Sequence, residues 1–271
     1  MNTFKITPEG WVNEKLDLDE DALQKYIHTG KTLQGIVKQC DENYNLHVRL
    51  GKNLEGIIPR TEVEAINVEE GGIPKTNLCT GKVDKFVQFK VKNLSAESVA
   101  ILSRKEVQEE ALNWVKNELQ EGQEVIGIVK NIKPYGAFVE IGGGIVGLVH
   151  IEDLSVARIK TPFERLKIGQ KLKIVVKSID RETGKVMLSY KEILGTWEDN
   201  AKKFKQGTHV RGIVRETEKN KNGIFIELAP NLVGMAEYKE GFTYGQKVEV
   251  YIKKIDECKR KIKLSILHQI K

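Results

Sequence analysis

Five side chains between residues 122 and 191 are of types that contact nucleic acids, namely Tyr135, Phe138, His150, Asp180 and Lys185. An aromatic ring can stack on the flat face of any base, and a lysine supplies the charge opposite to a phosphate. An aspartate before a glycine forms turns and can still accept a hydrogen bond from a nucleotide. This set of side chains predicts stacking and ion pairing, with no bond-breaking step.

The strands that would hold these side chains are visible in the alternation of apolar and polar residues. Ala137, Val139 and Ile141 share one face, which must be the core, so Phe138 and Glu140 are predicted to point to solvent. Short runs of this kind, separated by Gly and Pro, are typical of a small antiparallel barrel. A phenylalanine exposed on a basic domain favours base stacking.

Four motifs follow one another in this stretch. They are Gly-x-Val at Gly127, Tyr-Gly-Ala-Phe-Val at Tyr135, Gly-Leu-Val-His-Ile at Gly147 and Asp-Arg-x-x-Gly-Lys-Val-x-Leu-Ser at Asp180. Their order resembles the S1 RNA-binding domain, a five-stranded oligonucleotide-binding barrel. The resemblance implies that the five side chains named above form the binding surface. Lys185 stands where the family usually has arginine, which favours a point-charge contact with phosphate over a bidentate one.

The opening phrase of this stretch occurs three times in the chain. Gly30-x-x-x-x-Gly35-Ile36-Val37 is repeated from Gly122 and from Gly207, and each copy ends on a Leu-Ser pair. Repeats of this length indicate whole domains. We therefore predict an all-β protein of three tandem five-stranded OB-fold barrels joined by short α-helices. The predicted segments are an N-terminal helical segment (1–29), a first barrel (30–104), a linker helix (105–120), a second barrel (121–191), a linker helix (192–205), a third barrel (206–267) and a tail (268–271).

The helical segments carry their own start and stop signals. Asp17 or Asp19 can cap a short N-terminal helix that ends at Gly30. Ser103-x-x-Glu106 and Ser189-x-x-Glu192 both have the form of a capping box at the start of a linker helix. We expect the N-terminal helix to pack on the first barrel.

The three repeats differ at the positions of the predicted surface. The third barrel keeps Phe225, Asp256 and Lys261, whereas Asn222 and Glu237 replace the tyrosine and the histidine, and Tyr251 is a candidate second stacking group. The third barrel is therefore predicted to hold a partial site.

The first barrel departs further from the second. His47 replaces the stacking phenylalanine and Pro59 replaces the histidine, while Val99 and Ile101 make its last strand apolar on the outside. An apolar outer strand favours a protein contact over RNA. We favour the chain's own N-terminal helix as the group that covers it, with an external protein partner as the alternative.

Composition limits the class of partner and the compartment. The 271-residue chain is 30% charged, with a net charge of +6 and a pI near 9.0, which favours an anionic partner. Basic residues outnumber acidic ones within the three predicted barrels. Three widely separated cysteines without a Cys-x-x-Cys pair indicate a reducing compartment. With no signal-like or membrane-spanning apolar run, we expect a cytoplasmic protein.

Motifs for catalysis and cofactor binding find no support in their context. Gly142-x-Gly144-x-x-Gly147 fits a dinucleotide fingerprint, but a strand follows it where a helix would be required, so it predicts a hairpin turn. The five histidines show no metal-ligand spacing. We expect a protein without metal or other cofactor that is not an enzyme.

These observations together predict low-specificity binding of single-stranded RNA. Bases would stack on Tyr135 and Phe138, while phosphates would be neutralised by Lys130, Lys133, Lys173, Lys177 and Lys185. The resemblance implies a bacterial protein like ribosomal protein S1 that acts on mRNA in translation, with the small ribosomal subunit as a possible partner. The alternatives are an RNA-processing or decay adaptor, or a protein scaffold whose barrels no longer bind RNA.

Overall fold

Three closed five-stranded barrels follow one another along the chain, as predicted. The computed structural model describes residues 6–12, 16–52, 54–66, 68, 72–95, 99–217 and 223–270. In every barrel the third strand pairs in parallel with the last, and the other pairs of adjacent strands are antiparallel. Each barrel has its own apolar core.

The first barrel is preceded by a helix that completes its core. Helix α1 (Glu20–Thr29) begins where the Asp19 side chain accepts a hydrogen bond from the Ala22 amide at 2.8 Å, and it ends at Gly30 in the left-handed region. Leu23 of α1 is fully buried with the core of the barrel. The elements of the barrel are β1 (Leu33–Cys40), β2 (Leu46–Arg49), β3 (Glu55–Ile58), α2 (Thr76–Thr80), β4 (Phe86–Leu94) and β5 (Ala100–Ser103).

The position of α1 is relevant to the prediction that the N-terminal helix covers the outer side of β5. The helix packs mainly on β4. Ile101, on the outer side of β5, stays half-exposed. Cover of β5 by the N-terminal helix therefore remains a prediction.

The linker after the first barrel is a single helix, as predicted. Helix α3 (Lys105–Asn117) begins where the Ser103 hydroxyl accepts a hydrogen bond from the Glu106 amide at 3.1 Å. Its apolar stripe, which includes Trp114 and Val115, is buried in the core of the second barrel. The strands of that barrel are β6 (Glu124–Lys133), β7 (Gly136–Gly142), β8 (Ile145–His150), β9 (Lys171–Ile179) and β10 (Val186–Ser189).

The linker after the second barrel differs from the single helix that we predicted. A 3-10 turn (Lys191–Leu194) and helix α4 (Trp197–Ala201) are separated by Gly195 at φ +82°. Ser189 does not cap this linker, because its hydroxyl bonds the Asp153 carbonyl. Thr196 and Asp199 form the capping box instead. The third barrel follows with β11 (His209–Thr217), β12 (Ile224–Ala229), β13 (Leu232–Ala236), β14 (Lys247–Asp256) and β15 (Lys261–Gln269).

A β-bulge interrupts the first strand of every barrel at the same place. The register shifts between Val37 and Gln39, between Val129 and Asn131, and between Val214 and Glu216. The extra residue of each bulge is basic: Lys38, Lys130 and Arg215. The registers thus align the three barrels residue by residue and define equivalent positions among them.

Candidate nucleic-acid interface

A row of outward side chains crosses all five strands of the second barrel. The backbone register joins Asn131 to Phe138, Phe138 to Leu148, Leu148 to Met187 and Met187 to Ser178. Residues paired in this way point to the same face of a sheet. We call this set the stacking row. It places the ring of Phe138 next to two flexible apolar side chains, Leu148 and Met187, with small polar groups at the ends of the row.

Tyr135 and Phe138 meet at the start of β7. Their ring centroids lie 6.2 Å apart in an edge-to-face arrangement at 84°. Tyr135 is 50% exposed and Phe138 half-exposed, whereas Ala137 and Val139 are fully buried. The alternation predicted for Phe138 is therefore found, and two rings present separate flat faces to solvent.

His150 and Lys133 lie beside these rings. Gly136 is the register partner of both Lys133 and His150. A Cβ at Gly136 would come within 2.3 Å of the Val149 carbonyl oxygen, so the close approach of β7 and β8 requires glycine here. Nδ1 of His150 accepts a hydrogen bond from the Glu152 amide at 3.5 Å, which leaves Nε2 for another partner. The strand pairing thus brings together four side chains of the predicted binding surface, namely Lys133, Tyr135, Phe138 and His150.

Asp180 and Lys185 face each other across the turn between β9 and β10. The Asp180 amide bonds the Lys185 carbonyl at 2.9 Å, and its carboxylate accepts hydrogen bonds from the Thr183 hydroxyl and amide. The bond from the Thr183 hydroxyl is the main reason why the pKa of Asp180 is lowered. Lys185 is exposed and lies two residues before Met187 of the stacking row. It can therefore reach a phosphate at the border of the row.

Lys177 has a buried partner that sequence analysis missed. Its Nζ lies 2.7 Å from Oδ2 of Asp153, whose Oδ1 lies 2.9 Å from Nζ of Lys191. Burial raises the pKa of Asp153, but the hydrogen bonds from both lysines lower it. The pKa of Asp153 therefore lies below its ordinary value. Lys177 is half-exposed, so its position is set by Asp153 while part of its side chain remains available.

Lys173 does not join the stacking row. It pairs in register with Ile126 and is exposed. Ser178, the row's residue on the same strand, lies on the order of 16 Å further along at the usual strand rise. A phosphate contact at Lys173 would therefore belong to a strand of RNA that continues beyond the row.

Glu140 and Lys130 are less accessible on this face than the sequence predicts. Glu140 was predicted to point to solvent; it leaves the barrel core as expected but is almost completely buried. Residues 6–12, which we call the N-terminal strap, cover it, and the Glu9 amide donates to Glu140 Oε1 at 2.7 Å. Nζ of Lys130 lies 2.6 Å from Glu140 Oε2 and donates to the Glu9 carbonyl at 3.0 Å. A phosphate contact at Lys130 would require this ion pair to open.

The strap belongs to a buried ionic joint between the first two barrels. Arg104 is buried between Glu9, at 2.7 Å, and Glu64, at 2.9 Å. Burial raises the pKa of Glu9, but Arg104 and Lys82 oppose it and bring the pKa down from 4.5 to about 2. Burial and the nearby Glu9 raise the pKa of Glu140. No local sequence pattern around these residues indicates which partner each of them has.

The third barrel has an equivalent row of different composition. Register joins Glu216 to Phe225, Phe225 to Met235, Met235 to Lys263 and Lys263 to Lys254. Met235 is 44% exposed. Lysines therefore replace the methionine and serine of the second barrel. Glu237, at the position of His150, lies 3.4 Å from Lys253.

The remaining predicted residues of the third barrel are more scattered. The ring of Tyr251 contacts His209 edge-on, with centroids 5.5 Å apart, so its ring contact is away from Phe225. Asp256 is the register partner of Lys261, and its pKa is lowered mainly by a hydrogen bond from the Lys259 amide. Asn222 lies outside the described residues.

The first barrel presents a row that suits RNA poorly. His47, at the position of Phe138, has Asp41 at 3.4 Å and Glu55 at 3.3 Å from its two ring nitrogens. The guanidinium of Arg60 covers the ring of Tyr44 at 4.9 Å. Acidic groups thus flank the ring at the stacking position, and the face of the tyrosine ring is already occupied.

Sequence reasoning missed the apolar members of the rows, namely Leu148, Met187 and Met235. Their outward alternation within β8, β10 and β13 was the available signal. Within the described part of the chain, no cluster of His, Cys, Asp or Glu could hold a metal ion, and no helix has the length and apolarity to cross a membrane.

Comparison with known proteins agrees with this geometry. Residues 118–191 match the family described as S1 RNA binding domain. Small ribosomal subunit protein bS1 of Staphylococcus aureus is 30% identical over 93% of this chain and 70% of its own length. A bS1 homolog of Bacillus cereus is 33% identical over 98% of this chain and 72% of its own length.

Similarity to solved structures is local. The solution structure of GSP13 from Bacillus subtilis shares 32% identity over 28% of this chain and 58% of that chain, with a TM-score of 0.27. So low a score has no bearing on the assignment. The assignment rests on the two bS1 sequences, which match nearly the whole chain, and the chain belongs to the bacterial ribosomal protein bS1 family.

Proposed function

We propose that the protein binds single-stranded RNA with low sequence specificity and acts on mRNA in translation. The observation that carries the proposal is the pair of adjacent rings on a basic barrel, exposed Tyr135 and half-exposed Phe138, beside the apolar members of a solvent-facing row. Stacking on aromatic rings tolerates any base, which accounts for low specificity. Family membership supports translation and an association with the small ribosomal subunit.

The phosphate contacts fall to lysines at the border of the stacking row. Lys133 and Lys185 are exposed, and Lys177 is half-exposed beside Asp153. A lysine donates as a flexible point charge and does not impose a fixed phosphate geometry. Asp180 is held by its turn, where Oδ1 accepts two hydrogen bonds and Oδ2 accepts one, so Oδ2 keeps a lone pair for a base or a 2′-hydroxyl.

The third barrel contributes a weaker, more electrostatic contact. Phe225 supplies one stacking face, and Lys254, Lys261 and Lys263 supply charge around it. Its second stacking ring, Tyr251, contacts His209 and lies apart. The first barrel adds little, because two carboxylates flank His47 and Arg60 covers Tyr44.

A titration with labelled oligouridine, followed by fluorescence anisotropy, tests the binding. Phosphate neutralisation on a single strand gives a log–log salt slope of about −0.7 per contact, so four to six contacts imply roughly −3 to −4. DNA of the same length should compete, because stacking does not require the 2′-hydroxyl. A slope near zero contradicts the electrostatic part of the proposal.

Sedimentation of the tagged protein tests the role in translation. A protein that acts on mRNA during translation co-sediments with polysomes and moves to lighter fractions after nuclease treatment. A processing or decay adaptor would sediment apart from polysomes in the same gradient.

A further inference from the structure

A second face of each barrel, adjacent to the stacking row, joins consecutive barrels. It is built from the bulged basic residue of the first strand and from the residue two places after the stacking position on the second strand. In the second barrel these are Lys130 and Glu140, which receive the N-terminal strap at Glu9. We call the corresponding surface of each barrel its joint face.

The joint face of the third barrel receives the second barrel through side-chain ion pairs, whereas the strap contacts the second barrel's joint face through the backbone of Glu9. Arg215 and Glu227 occupy the equivalent positions and pair with each other. Glu164 pairs with Arg215, and Nη2 of Arg165 lies 2.7 Å from Glu227 Oε2. The Tyr244 hydroxyl also donates to Glu164 at 2.7 Å. In this joint, Glu164 and Arg165 of the second barrel therefore pair with Arg215 and Glu227 of the third.

The first barrel has an open groove at the same position. Lys38 and Arg49 hold the two positions, and Ile36 and Phe86 line the floor beside Lys52. Arginine thus stands where the other joint faces have glutamate. All three basic side chains are exposed, while Ile36 and Phe86 are half-exposed. We call this surface the first-barrel groove.

Within the described part of the chain, the charges of this groove are not balanced. Arg49 donates through Nε to the Gly51 carbonyl at 3.2 Å, and none of Arg49, Lys38 and Lys52 forms an ion pair with another described residue. Glu55 is the register partner of Arg49, but its carboxylate contacts His47. Among the residues that the structure describes, Asp17 is the one acidic residue that lines the groove.

We propose that the first-barrel groove docks an acidic protein segment that presents two adjacent carboxylates and an apolar residue. The joint face of the third barrel supports this choice of charges. Glu164 pairs with Arg215 in the third barrel, so a carboxylate at that place suits Lys38. In the third barrel, Glu227 pairs with Arg165. The first barrel has Arg49 at the position of Glu227, so a docked segment needs a carboxylate at the position of Arg165. Both homologous faces dock polypeptide, and the apolar floor suits a side chain better than a phosphate backbone.

A charge-swap experiment on the full chain tests this docking. The probe is a fluorescein-labelled peptide of residues 160–166 carrying Arg165→Glu, and the control is the same peptide with Arg165 retained. The parent protein should bind the probe at least about tenfold more tightly than the control. The Arg49→Glu variant should reverse that preference. Equal binding of the two peptides, or a preference unchanged by Arg49→Glu, would overturn the proposal.

Stability and RNA binding provide the controls. Arg49 and Lys38 are exposed, so Arg49→Glu and Lys38→Glu should leave the melting temperature within about 2 °C of the parent. Both variants should bind oligouridine within about threefold of the parent, since the stacking rows are untouched. If instead they weaken RNA binding as much as Phe138→Ala does, the groove is an RNA surface and the protein-docking proposal is wrong.

Discussion

Phe138 separates binding from folding at the residue scale. Its ring lies outside the core and is partly exposed, so Phe138→Ala should cost less than about 1 kcal/mol of stability. Loss of stacking should cost roughly 1–3 kcal/mol of binding, which is a factor of about 5 to 150 in Kd. An oligouridine titration and a thermal melt measure the two effects separately.

Val139→Ala is the matched control one residue along. Val139 is fully buried, and removal of its two methyl groups should cost roughly 2 kcal/mol of stability. At temperatures well below its melting point, this variant should bind RNA like the parent. The assignment of the two faces is wrong if Phe138→Ala unfolds the barrel or if Val139→Ala selectively weakens RNA binding.

Glu9 gives the joint between the first two barrels a pH dependence. Its folded pKa, about 2, lies below its ordinary value of 4.5. Its carboxylate therefore contributes stability that is fully present above about pH 5 and is lost as the pH falls toward 2. The melting temperatures of the parent and Glu9→Gln should differ near neutral pH and converge in this acidic range.

An exposed glutamate supplies the control for this titration. Glu110 lies on α3 and pairs at the surface with Lys90. Because exposed ion pairs contribute little, Glu110→Gln should melt close to the parent throughout. A Glu9→Gln difference that grows below pH 5 would contradict the assigned ion pair.

At the scale of elements, the turn between β7 and β8 docks directly on helix α3. Gly143 is at φ +55°, and a Cβ there would come within 2.6 Å of the Ala111 Cβ. Gly143→Val should therefore push the helix from the barrel and lower the melting temperature. The loss should be on the order of 2 kcal/mol, from strain and overpacking together.

Gly169→Val is a suitable comparison for this change. Gly169 also has a positive φ, +81°, but no atom lies within 4 Å of the Cβ position. This variant should incur only the backbone strain. Hydrogen exchange of α3 should rise in Gly143→Val and stay at the parent level in Gly169→Val, and equal exchange would contradict the docking role.

At the scale of the whole molecule, the three barrels should divide the work of RNA binding. In the full chain, Phe138→Ala should reduce affinity most, Phe225→Ala less, and His47→Ala scarcely at all. The order follows from two facing rings in the second barrel, one ring with lysines in the third, and two carboxylates in the first. Equal losses in the three variants would show that the rows contribute alike.

The amino-acid sequence by itself determined the repeated barrels, the capped α1 and the outward direction of Phe138. Each depends on local periodicity or on a residue's own backbone preference, which neighbours in the chain suffice to express. The single helix predicted for 192–205 failed at Gly195, whose positive φ breaks it in two.

Only the tertiary structure decided which outward residues reach solvent. Glu140 points out of its barrel as the alternation requires, yet the strap buries it. Lys130 pairs with Glu140 and so lies in the same joint. The partners Glu9, Arg104 and Glu140 are far apart in the chain, so no local pattern could bring them together. Alternation sets the side of a strand on which a residue lies, but burial depends on what else packs against that side.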